Sequence, residues 1–310
     1  MVKKINKKII SNFFVFLKGV AMGAADIIPG VSGGTIAFIT GIYEELINSI
    51  NSFDLKLIKT FQNQGIKGVF KKINDKFLFF LFSGILISIF SLANIIVYLI
   101  DDHTIKIWSF FFGLVSASIW VVGKNIKKWN KKLSFIFMLS SIFAFFITQL
   151  SPISNIEKSW FIFFSGFIGI CAMVLPGISG SFILLILGSY ETIIEAIKFR
   201  DFSILLIFGL GAILGMFSFA KFLKLLFKKY YNIIITIMTG FLLGSIHKLW
   251  PWKINYGDPI YINSEGEIDY LQRNISPFSY AGDSQLVFSL LFFSIAVLIV
   301  CFFELKKENK

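Results

Sequence analysis

The sequence has little of the chemistry on which soluble enzymes depend. Charged residues make up only 15% of its 310 residues, and it contains two cysteines and two histidines. Cys171 and Cys301 both lie inside apolar segments, and they form no disulfide or metal-ligand pattern. His103 and His247 are far apart, and no phosphate-binding Gly-Lys-Ser/Thr loop is present. These absences predict a protein without a metal, a cofactor, an ATPase or an enzymatic activity.

Apolar residues, in contrast, are abundant and occur in long runs. Hydrophobic residues make up 56% of the chain, and 39 residues are phenylalanine. Apolar stretches of 17 to 24 residues recur from end to end, and about 20 such residues cross a bilayer as a helix. The net charge of +12 comes from lysines in short loops, which favours membrane orientation over nucleic-acid binding. The sequence therefore predicts an all-α, polytopic membrane protein.

An internal repeat divides the chain. Residues 29–50 read PGVSGGTIAFITGIYEELINSI and residues 176–197 read PGISGSFILLILGSYETIIEAI, with 11 of 22 positions identical at an offset of 147. Farther along the chain the offset falls to 127, where Gly84 aligns with Gly211. The first copy therefore contains 20 extra residues between its motif and its first span.

Each repeat is predicted to open with a broken helical hairpin followed by three spans. The Pro-Gly-X-Ser-Gly centre cannot continue a helix, so we expect re-entrant hairpins that return to their own side of the membrane. The first repeat (1–150) is predicted to contain a hairpin at 9–50, a surface helix at 51–76 and spans at 77–100, 107–123 and 133–150. The second repeat (151–310) is predicted to contain a hairpin at 160–197 and spans at 202–220, 231–249 and 285–303.

The span count predicts that the two repeats are inverted relative to each other. A hairpin crosses the membrane an even number of times and three spans follow it, so the second repeat starts on the opposite side. With both termini in the cytoplasm, 23 lysines fall inside and seven basic residues fall outside. This distribution agrees with the positive-inside rule, and inverted repeats are typical of secondary transporters.

The two hairpin tips are the predicted binding site. Broken helices in membranes occur where the backbone lines a cavity, and the tips are expected to meet near the middle of the membrane. Backbone N–H groups and hydroxyls there suit an oxyanion or phosphate. Close helix packing through small residues is the alternative explanation. The predicted ligands are Ser32, Gly33, Gly34 and Thr35 in the first tip, and Ser179, Gly180 and Ser181 in the second.

Four ionisable residues near the tips are further candidates. Asp26 has Met173 as its counterpart in the second repeat, so it is a candidate for binding a coupling ion or for capping the hairpin locally. Glu44 and Glu191 recur as Tyr-Glu pairs, either in coupling or gating or as ordinary interfacial charges. Arg200 follows the second hairpin, where it either binds phosphate or pairs locally in a loop.

Three segments resemble a bacterial family, the polyprenyl-phosphate transporters. They are GVAMGAADIIPGVSGGTIAFITGIYEEL (19–46), GICAMVLPGISGSFILLILGSYE (169–191) and GSIHKLWPW (244–252), and the resemblance extends from residue 15 to 303. It implies that undecaprenyl phosphate is returned across the bacterial inner membrane after cell-wall polymer synthesis. It also implies functional importance for the motif positions Asp26, Pro29, Gly30, Ser32, Gly33, Gly34, Thr35, Glu44, Pro176, Gly177, Ser179, Gly180, Ser181 and Glu191.

The resulting hypothesis is a flippase without ATPase that works by alternating access. A coupling proton or sodium ion would act at Asp26, and the outer loop at 251–284 is assigned no role. A channel or carrier for small anions would use the same cradle. A membrane enzyme acting on the lipid phosphate is a third reading, which the missing catalytic residues disfavour.

Overall fold

The computed structural model describes residues 2–28, 30–54, 56–150, 158–262 and 268–308. Most of these residues are helical. The first half contains α1 (Val2–Ile27), α2 (Gly33–Ile39), α3 (Tyr43–Asn51), α4 (Lys56–Lys72), α5 (Asp75–Asp102), α6 (Thr104–Lys124) and α7 (Lys131–Ile147). The second half contains α8 (Ser159–Val174), α9 (Gly180–Ile186), α10 (Tyr190–Phe199), α11 (Phe202–Ser245), β1 (Lys253–Ile262), β2 (Ile268–Asn274) and α12 (Leu286–Glu308).

Four helical stretches of the described chain are long and apolar enough to cross a membrane. They are Lys59–Ala93, Thr104–Lys124, Phe202–Leu249 and Leu286–Leu305. Large apolar side chains cover the outside of the molecule, for example Phe79 at 67% and Phe90 at 82% exposure. Such a surface suits lipid, because a soluble protein rarely exposes contiguous apolar patches of this kind. The chain is therefore an α-helical membrane protein.

The same helix breaks occur at matching positions of the two halves. Gly30 and Gly177 have φ angles of 94° and 90°, and Gly41 and Gly188 have φ angles of 73° and 65°. Both pairs are separated by 147 residues. Glycine adopts positive φ without the steric cost that other residues meet. Each hairpin region therefore consists of one longer helix, a short helix of seven residues and a third helix.

Two of the expected connections between spans are sharp kinks in the structure. His103 (φ −130°, ψ 35°) interrupts the helix between α5 and α6, and Tyr230 (φ −134°, ψ 40°) kinks α11. The kink at Tyr230 divides α11 into two helices, which correspond to the expected spans at 202–220 and 231–249, and the first helix continues through most of the expected connection between them. A helix satisfies its own backbone hydrogen bonds, which favours its continuation near lipid.

The surface helix and the outer loop also differ from the prediction. The helix expected at 51–76 is shorter, α4, and Gly65 breaks it with a φ angle of 63°. Lys72, the last residue of α4, forms a surface salt bridge with Asp54 at 2.8 Å. The outer loop contains an antiparallel hairpin of β1 and β2, which is the departure from an all-helical fold among the described residues.

Glycines allow two pairs of helices to pack closely. A Cβ atom at Gly19 of α1 would contact the Leu81 carbonyl oxygen of α5, and Gly84 of α5 lies equally close to α1. Gly166 of α8 and Gly211 of α11 form the corresponding pair in the second half. Small residues of this kind let membrane helices approach along their backbones.

The last span of each half packs on the other half. A Cβ atom at Gly113 of α6 would lie 2.5 Å from the Phe293 carbonyl oxygen of α12. A Cβ atom at Gly240 of α11 would lie 2.8 Å from the Phe137 carbonyl oxygen of α7. The two halves are therefore packed together through α7 and α12.

Candidate functional site

The first helix break is closed by its own polar side chains. Ser32 is the N-cap of α2, and its Oγ accepts a hydrogen bond from Gly34 N–H at 3.1 Å. The Asp26 carboxylate, at the end of α1, accepts a hydrogen bond from Gly33 N–H at 2.7 Å. A Cβ atom at Gly33 would collide with that carboxylate, so glycine is needed for the contact. Pro29 lies outside the described residues.

The second break has the same outline with different partners. Ser179 is the N-cap of α9, and its Oγ lies 2.9 Å from Ser181 Oγ. Met173 stands at the position equivalent to Asp26, and its side chain has no carboxylate to accept a hydrogen bond. Within the described residues, no side chain accepts a hydrogen bond from Gly180 N–H or Ser181 N–H. The second break therefore retains backbone donors of the kind that the first break has already used.

The two breaks contact each other directly. Ser32 Oγ lies 3.1 Å from the Met173 carbonyl oxygen and 3.3 Å from that of Leu175, and it donates to this pair. In the opposite direction, Gly177 N–H donates to Thr35 Oγ1 at 3.1 Å. The two copies of the repeated motif are thus joined by hydrogen bonds between the halves.

Close packing accompanies these hydrogen bonds. A Cβ atom at Gly34 would lie 2.7 Å from the Val174 carbonyl oxygen, and one at Gly177 would lie 2.6 Å from Leu242 N. The glycines therefore serve tight packing, which is the alternative explanation of the motif. Gly180 N–H and Ser181 N–H are first-turn donors of the kind that every helix leaves without an intrahelical acceptor, so they can bind a ligand.

The two breaks differ in accessibility. Every residue of α2 is buried, including Thr35. Ser181 and Phe182 in the first turn of α9 are half-buried instead. The second break is therefore less enclosed than the first at Ser181 and Phe182, although Ser179 and Gly180 are themselves buried.

Three predicted residues lie apart from the breaks. Glu44 is exposed in the first turn of α3, and Glu191 lies in the first turn of α10. Acidic residues in the first turn stabilise a helix, because the helix N-terminus carries a partial positive charge. Arg200 is exposed at the C-terminus of α10 with a φ angle of 58°. The structure therefore brings together Asp26, the residues of 32–35 and those of 179–181, but not these three.

Comparison with known proteins identifies the family. The profile of the undecaprenyl phosphate translocase-like family matches residues 22–267. The chain belongs to this family. It is 45% identical over 310 residues to a polyprenyl-phosphate transporter of Vibrio cholerae serotype O1, covering 97% of this chain and 99% of that protein. It is 32% identical over 257 residues to a polyprenyl-phosphate transporter of Staphylococcus aureus, covering 76% of this chain and 85% of that protein. No solved structure matches.

Two lysines close to the breaks of this family member were missed by sequence reasoning. Lys18, in the middle of α1, donates to the Thr40 carbonyl oxygen at the end of α2 at 2.7 Å. Lys248 follows α11, and its Cβ lies 3.9 Å from the position of a Cβ atom at Gly30. The Lys248 ammonium lies 5.5 Å from the centre of the Phe182 ring in α9. Its place in the segment GSIHKLWPW was the available signal.

The end of α11 is held by a polar and aromatic network. Nδ1 of His247 lies 2.9 Å from the Gly244 carbonyl oxygen, so this ring nitrogen carries the proton and donates it to that oxygen. Its Nε2 then accepts a hydrogen bond from Gln149 at 2.8 Å and lies 3.2 Å from Thr148 Oγ1, whose proton is donated to the Phe145 carbonyl oxygen at 2.8 Å. Asn274 Nδ2 donates to the His247 carbonyl oxygen at 2.8 Å. These contacts fix the segment that carries Lys248.

Proposed function

We propose that the protein translocates undecaprenyl phosphate, or a related polyprenyl phosphate, across the bacterial inner membrane. The observation that carries the proposal is the meeting of two broken helices, of which one retains unused backbone donors beside hydroxyls. Donors of this kind bind phosphate oxygens. A phosphate on a long apolar tail suits such a site, because the tail stays in lipid while the head enters the protein. The names of the family and of the two relatives support the same substrate.

The proposed architecture is two inverted repeats, 1–150 and 151–310, each with a re-entrant hairpin and three spans. The paired φ angles at offsets of 147, and the matched kinks at His103 and Tyr230 at an offset of 127, support the repeat. The lysine distribution supports inversion, with both termini in the cytoplasm. Inverted repeats give two equivalent conformations that open to opposite sides, which is the basis of alternating access.

In the proposed mechanism the phosphate binds between Ser32–Thr35 and Ser179–Ser181. In the present conformation Asp26 and Ser32 occupy the donors of the first break. The phosphate therefore first meets Gly180, Ser181 and the Ser179 hydroxyl. Passage to the other side requires that the hydrogen bonds joining Ser32 and Thr35 to the second break separate, as the two halves rearrange.

Asp26 is proposed to carry the coupling proton or sodium ion. It is half-buried and touches the first break directly, so a change in its charge alters the hydrogen bond to Gly33. Glu44 and Glu191 are proposed to act at the ends of the path, in gating, and Arg200 to meet the headgroup at the outer surface. The lipid returned to the inner leaflet would serve again as carrier for cell-wall polymers.

A vesicle assay tests the proposal. The full chain is reconstituted into vesicles that contain a short polyprenyl phosphate in both leaflets, and an impermeant phosphatase is added outside. Without translocation only the outer-leaflet lipid is hydrolysed, whereas translocation exposes nearly all of it. Hydrolysis that stops at the outer-leaflet fraction with wild-type protein would refute the proposed function.

Serine substitutions in the breaks are expected to stop translocation. Ser32→Leu removes the contact with the second break and fills its space, and Ser179→Leu removes the cap of α9. We expect the rate to fall about tenfold or more, equivalent to at least ~1.4 kcal/mol in activation free energy, because each substitution replaces a hydroxyl of the proposed site by a bulky apolar group. Ser179→Ala tests the cap without added volume. Ser91→Leu is the matched control, because Ser91 bonds within its own exposed helix; equal loss there would contradict a specific role.

A carrier for small anions is the second candidate, since the free donors do not themselves require a lipid tail. Uptake of radiolabelled inorganic phosphate into the same vesicles distinguishes the two. Uptake without lipid translocation would favour the anion carrier, and lipid translocation without uptake would favour the flippase.

A further inference from the structure

We propose that Lys248 and Lys253 form an external phosphate-binding site that receives the lipid headgroup and passes it to the second helix break. This inference rests on the proposed function and adds to it a pair of residues that supply positive charge to the site. It concerns the segment after α11, whose role neither the repeat motif nor the family resemblance explains.

Lys248 bridges the two breaks. Its side chain starts beside Gly30, which forms the first break, and its ammonium lies 5.5 Å from the centre of the Phe182 ring, in the first turn of α9. Phe182 N–H in turn donates to Ser179 Oγ at 3.5 Å. The ammonium is therefore close to the half of the cradle that keeps free donors, whereas Arg200 is not.

Lys253 lies five residues after Lys248, at the start of β1. Its ammonium donates to the Lys248 carbonyl oxygen at 2.6 Å and lies 4.3 Å from the centre of the Trp108 ring of α6. Trp252, 5.4 Å from Trp250 between their ring centres, stands next to it in the chain. Aromatic rings can hold a cation and an apolar tail at the same time, because the ring face is electron-rich and the ring is apolar.

The charges of these two lysines are not balanced by a carboxylate of the described chain. Among the residues whose side chains the structure describes, which do not include those of 258–271, no aspartate or glutamate lies within salt-bridge distance of Lys248 or Lys253. Both side chains are half-buried. A partly buried charge without a counter-charge is costly, so its presence is explained when an anion completes the site. A phosphate monoester carries close to two negative charges at pH 7 and would neutralise the pair.

The acid–base behaviour of Lys253 is consistent with this role. Burial, aided by the charge of Lys248, lowers the pKa of Lys253 from 10.5 to about 8. Lys248 is the titratable group whose charge acts on Lys253, and Lys253 in turn acts on His247. Lys253 therefore keeps most of its charge at pH 7 and loses most of it by pH 9. Binding of a phosphate should weaken over that interval.

Binding to the full-length protein in detergent tests the proposal, with farnesyl phosphate as probe. Farnesol supplies the tail without the charge, and inorganic phosphate supplies the charge without the tail. We expect Lys248→Met and Lys253→Met each to raise the Kd for farnesyl phosphate about tenfold or more, with little change for farnesol. Lys106→Met is the matched control, because Lys106 also faces an aromatic ring, that of Phe288, away from the breaks.

Two further readouts separate binding from structural support. Lys253→Arg, whose charge does not titrate below pH 10, should keep binding and remove its decline between pH 7 and pH 9. Lys253→Met also removes the hydrogen bond to the Lys248 carbonyl oxygen, so its melting temperature is measured beside its binding, and weaker binding of farnesyl phosphate by protein that remains folded is the expected result. A lowered melting temperature with unchanged farnesyl phosphate binding would identify a structural role and overturn the inference.

The outcomes also separate this inference from the proposed function. If wild-type protein translocates polyprenyl phosphate and both methionine variants bind and translocate normally, the lysine site is wrong and the proposed function stands. If wild-type protein binds inorganic phosphate through these lysines but does not bind farnesyl phosphate, both the lipid headgroup and the proposed function are wrong. The anion carrier is then favoured.

Discussion

Asp26→Asn is expected to abolish most lipid translocation while leaving the protein folded. Asparagine has nearly the same shape as aspartate and keeps a carbonyl oxygen, so it can still accept the hydrogen bond from Gly33 N–H, which is 2.7 Å long. What it removes is the charge and the ability to exchange a proton or bind a cation. If Asp26 carries the coupling ion, the translocation rate falls about tenfold or more, equivalent to at least ~1.4 kcal/mol in activation free energy.

Asp26→Ala separates this role from local capping. Alanine leaves Gly33 N–H without its acceptor in a buried position, which costs about 1–3 kcal/mol. We therefore expect Asp26→Ala to lower the melting temperature by several degrees, whereas Asp26→Asn leaves it nearly unchanged. Translocation and thermal unfolding are measured on the same reconstituted and detergent-solubilised preparations.

A surface aspartate provides the control for Asp26. Asp201 caps α11 by accepting hydrogen bonds from Ser203 N–H and Ile204 N–H at 3.0 and 3.2 Å. Asp201→Asn makes the same chemical change at a cap that is not in the breaks, so translocation should persist. Full activity of Asp26→Asn would assign Asp26 to capping alone and remove it from the coupling scheme.

The helix breaks are predictable because their cause is local. Proline restricts the backbone conformation and glycine widens it, whatever the surrounding fold. The two Pro-Gly-X-Ser-Gly motifs are therefore enough to predict helix breaks. The repeat places equivalent breaks 147 residues apart. The helical character of the chain follows equally from its long apolar runs, since a helix is the simplest way to satisfy the backbone in lipid.

The features that are not predictable depend on long-range packing. The connection between the two helices of α11 is shorter than the sequence predicts, because helix continues to the kink at Tyr230 and lysine side chains reach water from a helix as well as from a loop. The exchange of α7 and α12 between the halves leaves no sequence pattern. Lys248 reaches the breaks only because the end of α11 passes beside Gly30 and α9.

The asymmetry of the two breaks combines both kinds of information. The sequence shows that Met173 occupies the position in the second break that Asp26 occupies in the first. Its consequence, occupied donors in one break and free donors in the other, is visible only in the hydrogen bonds. Two breaks of which one has its donors occupied by Asp26 and Ser32 and the other does not are unequal as sites for a ligand. The relative burial of α2 and α9 agrees with this preference.

Gly177→Ala is expected to be among the most destabilising single substitutions in the described chain. Gly177 has a φ angle of 90°, and a Cβ atom there would lie 2.6 Å from Leu242 N and 2.8 Å from the Phe241 carbonyl carbon. Both neighbours are backbone atoms and cannot turn aside. The left-handed conformation costs about 1–2 kcal/mol, and overpacking adds about 1–3 kcal/mol.

Gly257→Ala isolates the packing contribution. Gly257 also has a positive φ angle, 78°, but no atom lies within 4 Å of the position where its Cβ would stand. Both variants carry the conformational cost, and only Gly177→Ala carries the collision. We expect Gly177→Ala to lower the melting temperature by about 5–15 °C, clearly more than Gly257→Ala, at roughly 2–4 °C for each kcal/mol.

The same substitution should also impair transport beyond its effect on stability. Gly177 N–H donates to Thr35 Oγ1, so displacing Gly177 from α11 moves the hydrogen bond that joins the two breaks. A Thr35→Val variant removes that bond without a collision, and it should reduce translocation at a temperature where the protein is fully folded. Equal melting temperatures for Gly177→Ala and Gly257→Ala would mean that the second break does not pack against α11 as closely as the fold requires. The contact between the breaks, on which the proposed site depends, would then have to be abandoned.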